Sequence, residues 1–143
     1  MDWLAASRLH LADIVVTRAV GFAPVYVLGF ATAPTYAYLV FVSFQAIWIH
    51  ANVRFLFGPL RYLLATPQYH HWHHAAESEA VDKNFAVHLP VIDWIFGTYY
   101  LPGDRWPIRY GLEGDPVPQG YARQLVYPFS RSGPFSRPGP FLR

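Results

Sequence analysis

From Ala19 to Asn52 the chain carries no Lys, Arg, Asp or Glu, and it is apolar almost throughout. Residues 1–13 form a short amphipathic lead-in with Arg8, His10 and Asp13. Residues 54–143 return to mixed polarity and become rich in Pro and Gly from about residue 102. Taken as one helix, residues 14–53 would reach roughly 60 Å, twice the roughly 30 Å hydrocarbon core of a bilayer. The stretch is also punctuated. Gly29, Thr32, Ala33 and Pro34 suit a tight turn, because Pro34 lacks a backbone N–H and disfavours helix in the residue before it. The pattern therefore predicts two membrane spans, about 14–31 and 35–53, with Pro24 kinking the first. Arg18 would snorkel to the head groups from one turn inside that span.

The predicted fold class is all-α integral membrane. A helical hairpin of two transmembrane helices carries a cytoplasmic, histidine-bearing helical cap. Arg8 and Arg18 flank one end of the hairpin, Arg54 and Arg61 the other, and the turn between the spans has no cation. The positive-inside rule then predicts an integral membrane protein with both termini and the histidines on the cytoplasmic side.

Beyond the hairpin, Thr66 and Pro67 read as the N-cap and first residue of a helix running to about Glu79. The aromatic stretch from Phe85 to Tyr100, broken by Pro90 and Gly97, reads as a short interfacial helix. A six-residue repeat, Ser130 to Phe135 and then Ser136 to Phe141, predicts a flexible Pro/Gly-rich tail over residues 129–143. The domain proper is read as residues 1–128.

Composition sharpens this picture. The chain is 53% hydrophobic, 18% aromatic and only 14% charged, where a soluble domain carries about 25% charged residues. Net charge is +2, and the basic residues are scattered singly. That spacing excludes a nucleic-acid partner. There is no cysteine, so a metal could be held only by His, Asp or Glu. The N-terminus has an early acid and no basic region of the signal-peptide type.

Four of the seven histidines fall within five residues: His70, His71, His73 and His74, around Trp72. Positions i, i+3 and i+4 share a helix face, so His70, His73 and His74 converge while His71 turns away to solvent. Three buried imidazoles without partners would each be costly, and a metal ion removes that cost. Neutral imidazole suits Fe, Zn, Cu or Ni. His50, with Asn52 after it, ends the second predicted span at the level of the cluster. His10, just before the first span, is brought to the same face by the hairpin and is a ligand or a donor to one. His88 has no spacing partner and reads as structural. Asp82 and Asp93 are acids that could orient an imidazole.

Several motifs in order resemble one family. They are His50-Ala51-Asn52-Val53, Gly58-Pro59-Leu60-Arg61, Thr66-Pro67-Gln68-Tyr69-His70-His71-Trp72-His73-His74, Asp82-Lys83-Asn84-Phe85, and Asp93-Trp94-Ile95-Phe96-Gly97-Thr98-Tyr99-Tyr100. Together they resemble the C-terminal half of sterol desaturase / fatty acid hydroxylase proteins. Arg8-Leu9-His10-Leu11-Ala12-Asp13 resembles that family's Arg-x-His-Pro-x-Asp segment, with Leu11 in place of the proline.

The resemblance implies a membrane lipid hydroxylase or desaturase, an oxidoreductase that uses O2 and a non-haem di-iron centre. It implies a membrane lipid substrate and an electron-donor redox protein. It places His70, His73 and His74 in the last histidine box, His50 as the isolated histidine before it, and His10 as a further family histidine. Asn84 and Asp93, with Asn52, are implied to stand behind the ligands. The family's earlier histidine boxes would lie before Met1. The expectation is therefore an incomplete iron site, completed by a missing N-terminal portion or a split partner. The alternatives are an inactive membrane remnant holding one metal ion or none, and a zinc hydrolase, against which stands the absence of a His-Glu-x-x-His motif.

Overall fold

The apolar zone folds into two helices that are shorter than the pattern suggests. The computed structural model describes residue 6, residues 9–111 and residues 118–130. Within them α1 spans Leu11–Val27, α2 Thr32–Ile49, α3 Pro67–His73, α4 Val91–Phe96 and α5 Tyr121–Val126. Arg8 and residues 131–143 of the predicted tail lie outside the described residues. The described part holds no strand, only an isolated antiparallel bridge between Ala75 and Tyr110.

Helix α1 starts where His10 caps it, its Nδ1 accepting from the Ala12 N–H at 3.0 Å. It stops at a turn in which Gly29 takes φ +69°, a left-handed conformation open to glycine at little cost. Helix α2 then begins at Thr32, earlier than expected. Pro34 lies inside its first turn, where a backbone N–H has no helical partner anyway.

The two-span membrane hairpin is not what forms. No helix among the described residues is long and apolar enough to cross a membrane. Helix α1, with 17 residues, rises roughly 26 Å and carries Asp13 and Arg18. Helix α2, with 18 residues, ends at His50 instead of continuing to residue 53, and its apolar run is diluted by Pro34, Ser43 and Gln45. The integral-membrane fold class falls with this finding, and so does the placement of the termini and histidines on a cytoplasmic face.

Helix α3 forms as its cap predicts. The Thr66 side chain accepts from the Tyr69 N–H, and Pro67 opens the first turn. It ends at His73 and does not reach Glu79. The reason is tertiary: the chain leaves the helix to pair with another segment. Ala76 N–H donates to Arg109 O at 3.0 Å, and Gly111 N–H to His74 O at 3.1 Å. Of residues 84–100 only α4 is helical, closed by Gly97 at φ +70°.

The apolar core is small. Ile49, Ala65 and Tyr69 form one cluster, where α2 packs on α3. Trp72, Ala75 and Ala80 form a second. Between them runs a buried polar frame. The Asn84 amide donates to Tyr69 O at 2.9 Å and Tyr100 O at 2.7 Å, and its oxygen accepts from the Tyr100 N–H at 2.7 Å. The Asp93 carboxylate accepts from the Phe85 N–H at 3.0 Å, the Ala86 N–H at 2.8 Å, and the hydroxyls of Tyr69 and Thr98. These bonds fix α3 against the 84–100 segment from behind.

Candidate metal centre

His50, at the end of α2, meets His70 and His74 from α3. One ring nitrogen from each lies within 4.8 Å of the others. His70 Nε2 is 3.1 Å from His50 Nε2 and 3.1 Å from His74 Nε2. The His50 tautomer follows from its other contact. Nδ1 lies 2.7 Å from Ala46 O, and a carbonyl only accepts, so Nδ1 carries the proton and Nε2 presents a lone pair. One N–H on His70 cannot serve both neighbours in linear geometry. Three imidazole nitrogens facing one another in this way fit one transition-metal ion better than they fit a hydrogen-bonded trio.

Electrostatics agree. Burial, then neighbouring His74, His50 and His73, holds His70 well below the ordinary imidazole range. Burial, then His73 and His50, lowers His74 to about 4. Both rings are therefore neutral at physiological pH, the form that ligates.

The other predicted residues fall in different places. His73 stacks on His70 with ring centroids 5.4 Å apart, outside the trio. Its Nδ1 donates to Lys83 O at 2.9 Å, which leaves its Nε2 bare, as in His50. His10 has both nitrogens engaged: Nδ1 accepts from Ala12, and Nε2 donates to Leu125 O at 2.9 Å. Asn52 is exposed in the loop after His50. Asn84 and Asp93 are buried and hydrogen-bonded to Tyr69, Tyr100 and the 84–100 segment. Both bond to Tyr69, the residue that precedes His70 on α3. Asp82 is exposed.

His71, expected at the surface, is fully buried. Its Nδ1 lies 2.9 Å from the Tyr110 hydroxyl, and its ring meets Trp106 edge-on. Burial lowers it to about 4. Its position on the face opposite the cluster is what helical spacing dictates. Its cover is the 105–110 segment, which no local pattern announces. Tyr110→Phe removes the hydroxyl that meets Nδ1 of this fully buried imidazole. We expect a loss of about 1–3 kcal/mol in stability, read from thermal unfolding. An unchanged midpoint would show that the contact contributes nothing.

Gln45 was also missed. It is buried in α2, and its amide donates to Ala65 O at 3.0 Å, tying the His50-bearing helix to the start of α3. A lone Gln within an apolar helix was the available signal.

The trio forms one end of a groove of about 580 Å³, lined along α2 by Val42, Ala46 and Ile49 and along α1 by Ile14, Arg18 and Phe22. A second pocket, about 500 Å³, lies beyond His73 and His74 and is more polar, with Ser78, Asp82 and Lys83 in its walls.

Comparison with known proteins agrees with these motifs. Over 127 residues the chain is 33% identical to ornithine lipid hydroxylase of Rhizobium tropici, covering 88% of this chain and 38% of that protein. It is 37% identical over 82 residues to human alkylglycerol monooxygenase, covering 55% of this chain and 18% of that protein. It is 35% identical over 68 residues to a very-long-chain aldehyde decarbonylase of Oryza sativa subsp. indica, covering 43% of this chain and 10% of that protein. The chain thus spans well under half the length of these relatives. No solved structure matches it. Residues 1–98 match the model of the fatty acid hydroxylase family, and the chain belongs to that family.

Proposed function

We propose that this chain carries the C-terminal part of the iron site of an O2-dependent lipid hydroxylase or desaturase. The carrying observation is the convergence of His50, His70 and His74, with the His50 lone pair aimed inward. Family membership and the lipid substrates in the names of two relatives support the lipid class. Iron bound there would supply the oxidation chemistry with O2 and electrons from a redox protein. The residues of this chain do the rest. Ala46 O orients His50, Lys83 O orients His73, and the frame around Asp93 and Asn84 holds α3 in place. The apolar groove positions a chain and sheds water from its C–H bonds.

A di-iron centre, with His73 as a further ligand, needs donors beyond the trio; we propose that these come from a longer protein or a partner chain. A second reading, a chain that holds one metal ion and catalyses nothing, is favoured by the trio being the one converging set among the described residues.

The two separate on one experiment. The chain, fused to the N-terminal part of the ornithine lipid hydroxylase it resembles and loaded with iron, is expressed in a lipid-containing host under isotopically labelled O2, with His70→Ala as control. Label in host lipid above the control supports the hydroxylase. No label, with iron retained, supports the second reading.

A further inference from the structure

The groove that ends at the trio has a cation in its other half. Arg18 lines it and has no carboxylate partner among the described residues; its guanidinium lies over the Phe22 ring, 5.8 Å from the centroid. Counted from the connecting turn, Arg18 lies ten residues before Leu28, and Phe41 lies ten residues after Ala31. Both helices line the groove, Arg18 from α1 and Tyr38 from α2. His50 lies nine residues beyond Phe41, roughly 14 Å at the helical rise. A second polar group, His88, lines the same groove. His88 packs its ring against Tyr38 and Phe41, at 6.3 and 5.7 Å between centroids, and its Nδ1 is buried without a partner. Between the two ends the α2 wall is Val42, Ala46 and Ile49, with Gln45 already bonded to Ala65 O. The groove is thus polar, apolar, then metal-binding.

We propose that Arg18 is the head-group anchor of this groove. It takes the anionic head, carboxylate or phosphate, of an amphiphile whose hydrocarbon lies along α2 and presents a carbon to His50, His70 and His74. A guanidinium matches either oxyanion with paired N–H donors. The anchor then sets which carbon reaches the trio. The assignment rests on the trio being the reacting centre, but its test does not.

Binding of dodecanoate, dodecyl phosphate and dodecanol to the purified chain is measured by calorimetry, with iron and after chelation. We expect at least one of the two anions to bind about tenfold tighter than the alcohol, with or without iron. The anion that does so identifies the head. Arg18→Gln should bring that anion down to the affinity of the alcohol, and Arg18→Lys should keep part of the preference. Equal binding of anions and alcohol by the unaltered chain would overturn the proposal, as would a preference that survives in Arg18→Gln. A preference lost on chelation would also overturn it, because the anion would then sit on the metal. If the preference holds while no labelled oxygen enters lipid, the anchor stands and the hydroxylase reading fails.

Discussion

Replacing His70 with alanine should weaken binding of ferrous iron by at least about 100-fold, the largest effect of any single change at the centre. His70 is the middle of the trio, 3.1 Å from each neighbour through one nitrogen. Its loss leaves His50 and His74 without a shared partner. His50→Ala and His74→Ala should approach the same loss. His73→Ala should cost less, about tenfold, because His73 stands beside the trio and stacks on His70. Elemental analysis and a competitive chelator titration read these affinities. Equal losses for His73 and His70 would place His73 among the direct ligands of the same ion. Retained iron in His50→Ala would remove α2 from the site.

The second large effect lies outside the metal. Asp93→Ala should cost about 3–5 kcal/mol, because it strands the buried Tyr69 hydroxyl, the half-buried Thr98 hydroxyl and two backbone N–H groups at once. A domain of this kind has about 5–15 kcal/mol in total, so the variant should be marginal at 37 °C. Asp93→Asn keeps the shape and should cost about half as much, since its amide faces donors.

The pH dependence has a defined sign. Burial pushes the Asp93 carboxyl up, but the bonds from Thr98, Tyr69, Ala86 and Phe85 outweigh it and hold the group below its ordinary value. The folded state therefore binds the proton less readily than the unfolded state. The stabilisation is complete above the unfolded carboxylate value, about 3.9, and drains away as pH falls through the depressed folded value. Urea midpoints measured from neutral pH downward should show that acid limb in the wild type and a shallower one in Asp93→Asn. Identical limbs would assign the acid sensitivity to other groups.

The same carboxylate shows where reading the chain stopped short. From the sequence Asp93 reads as a helix cap, or as an acid that orients an imidazole from behind the ligands. In the structure it reaches no histidine and instead gathers four donors: Tyr69 on α3, Phe85 and Ala86 between α3 and α4, and Thr98 just after α4. The spacing Asp82-Lys83-Asn84-Phe85 marked the segment, but not that Asn84 would take φ +58° to cross-link Tyr69 and Tyr100. The predicted membrane spans failed for a related reason. Hydropathy over residues 14–53 reports how apolar the zone is. Where each helix stops depends on its ends, and Gly29 and His50 cut both short.

What the sequence determined by itself is local. The i, i+3, i+4 spacing put His70, His73 and His74 on one side of α3 and His71 on the other; Thr66 and Pro67 set where that helix starts; the ordered motifs set the family. These are consequences of a fixed helical period and of cap chemistry, which act over a few residues. Tertiary structure decided the rest. It brought His50 to within 3.1 Å of His70 across twenty residues, ended α3 at His73 by pairing 74–76 with 109–111, covered His71 with Tyr110 and Trp106, and opened a groove from Arg18 to the trio. Contacts between distant segments depend on how whole helices cross and on which backbone groups find partners, and no short window of sequence contains that information.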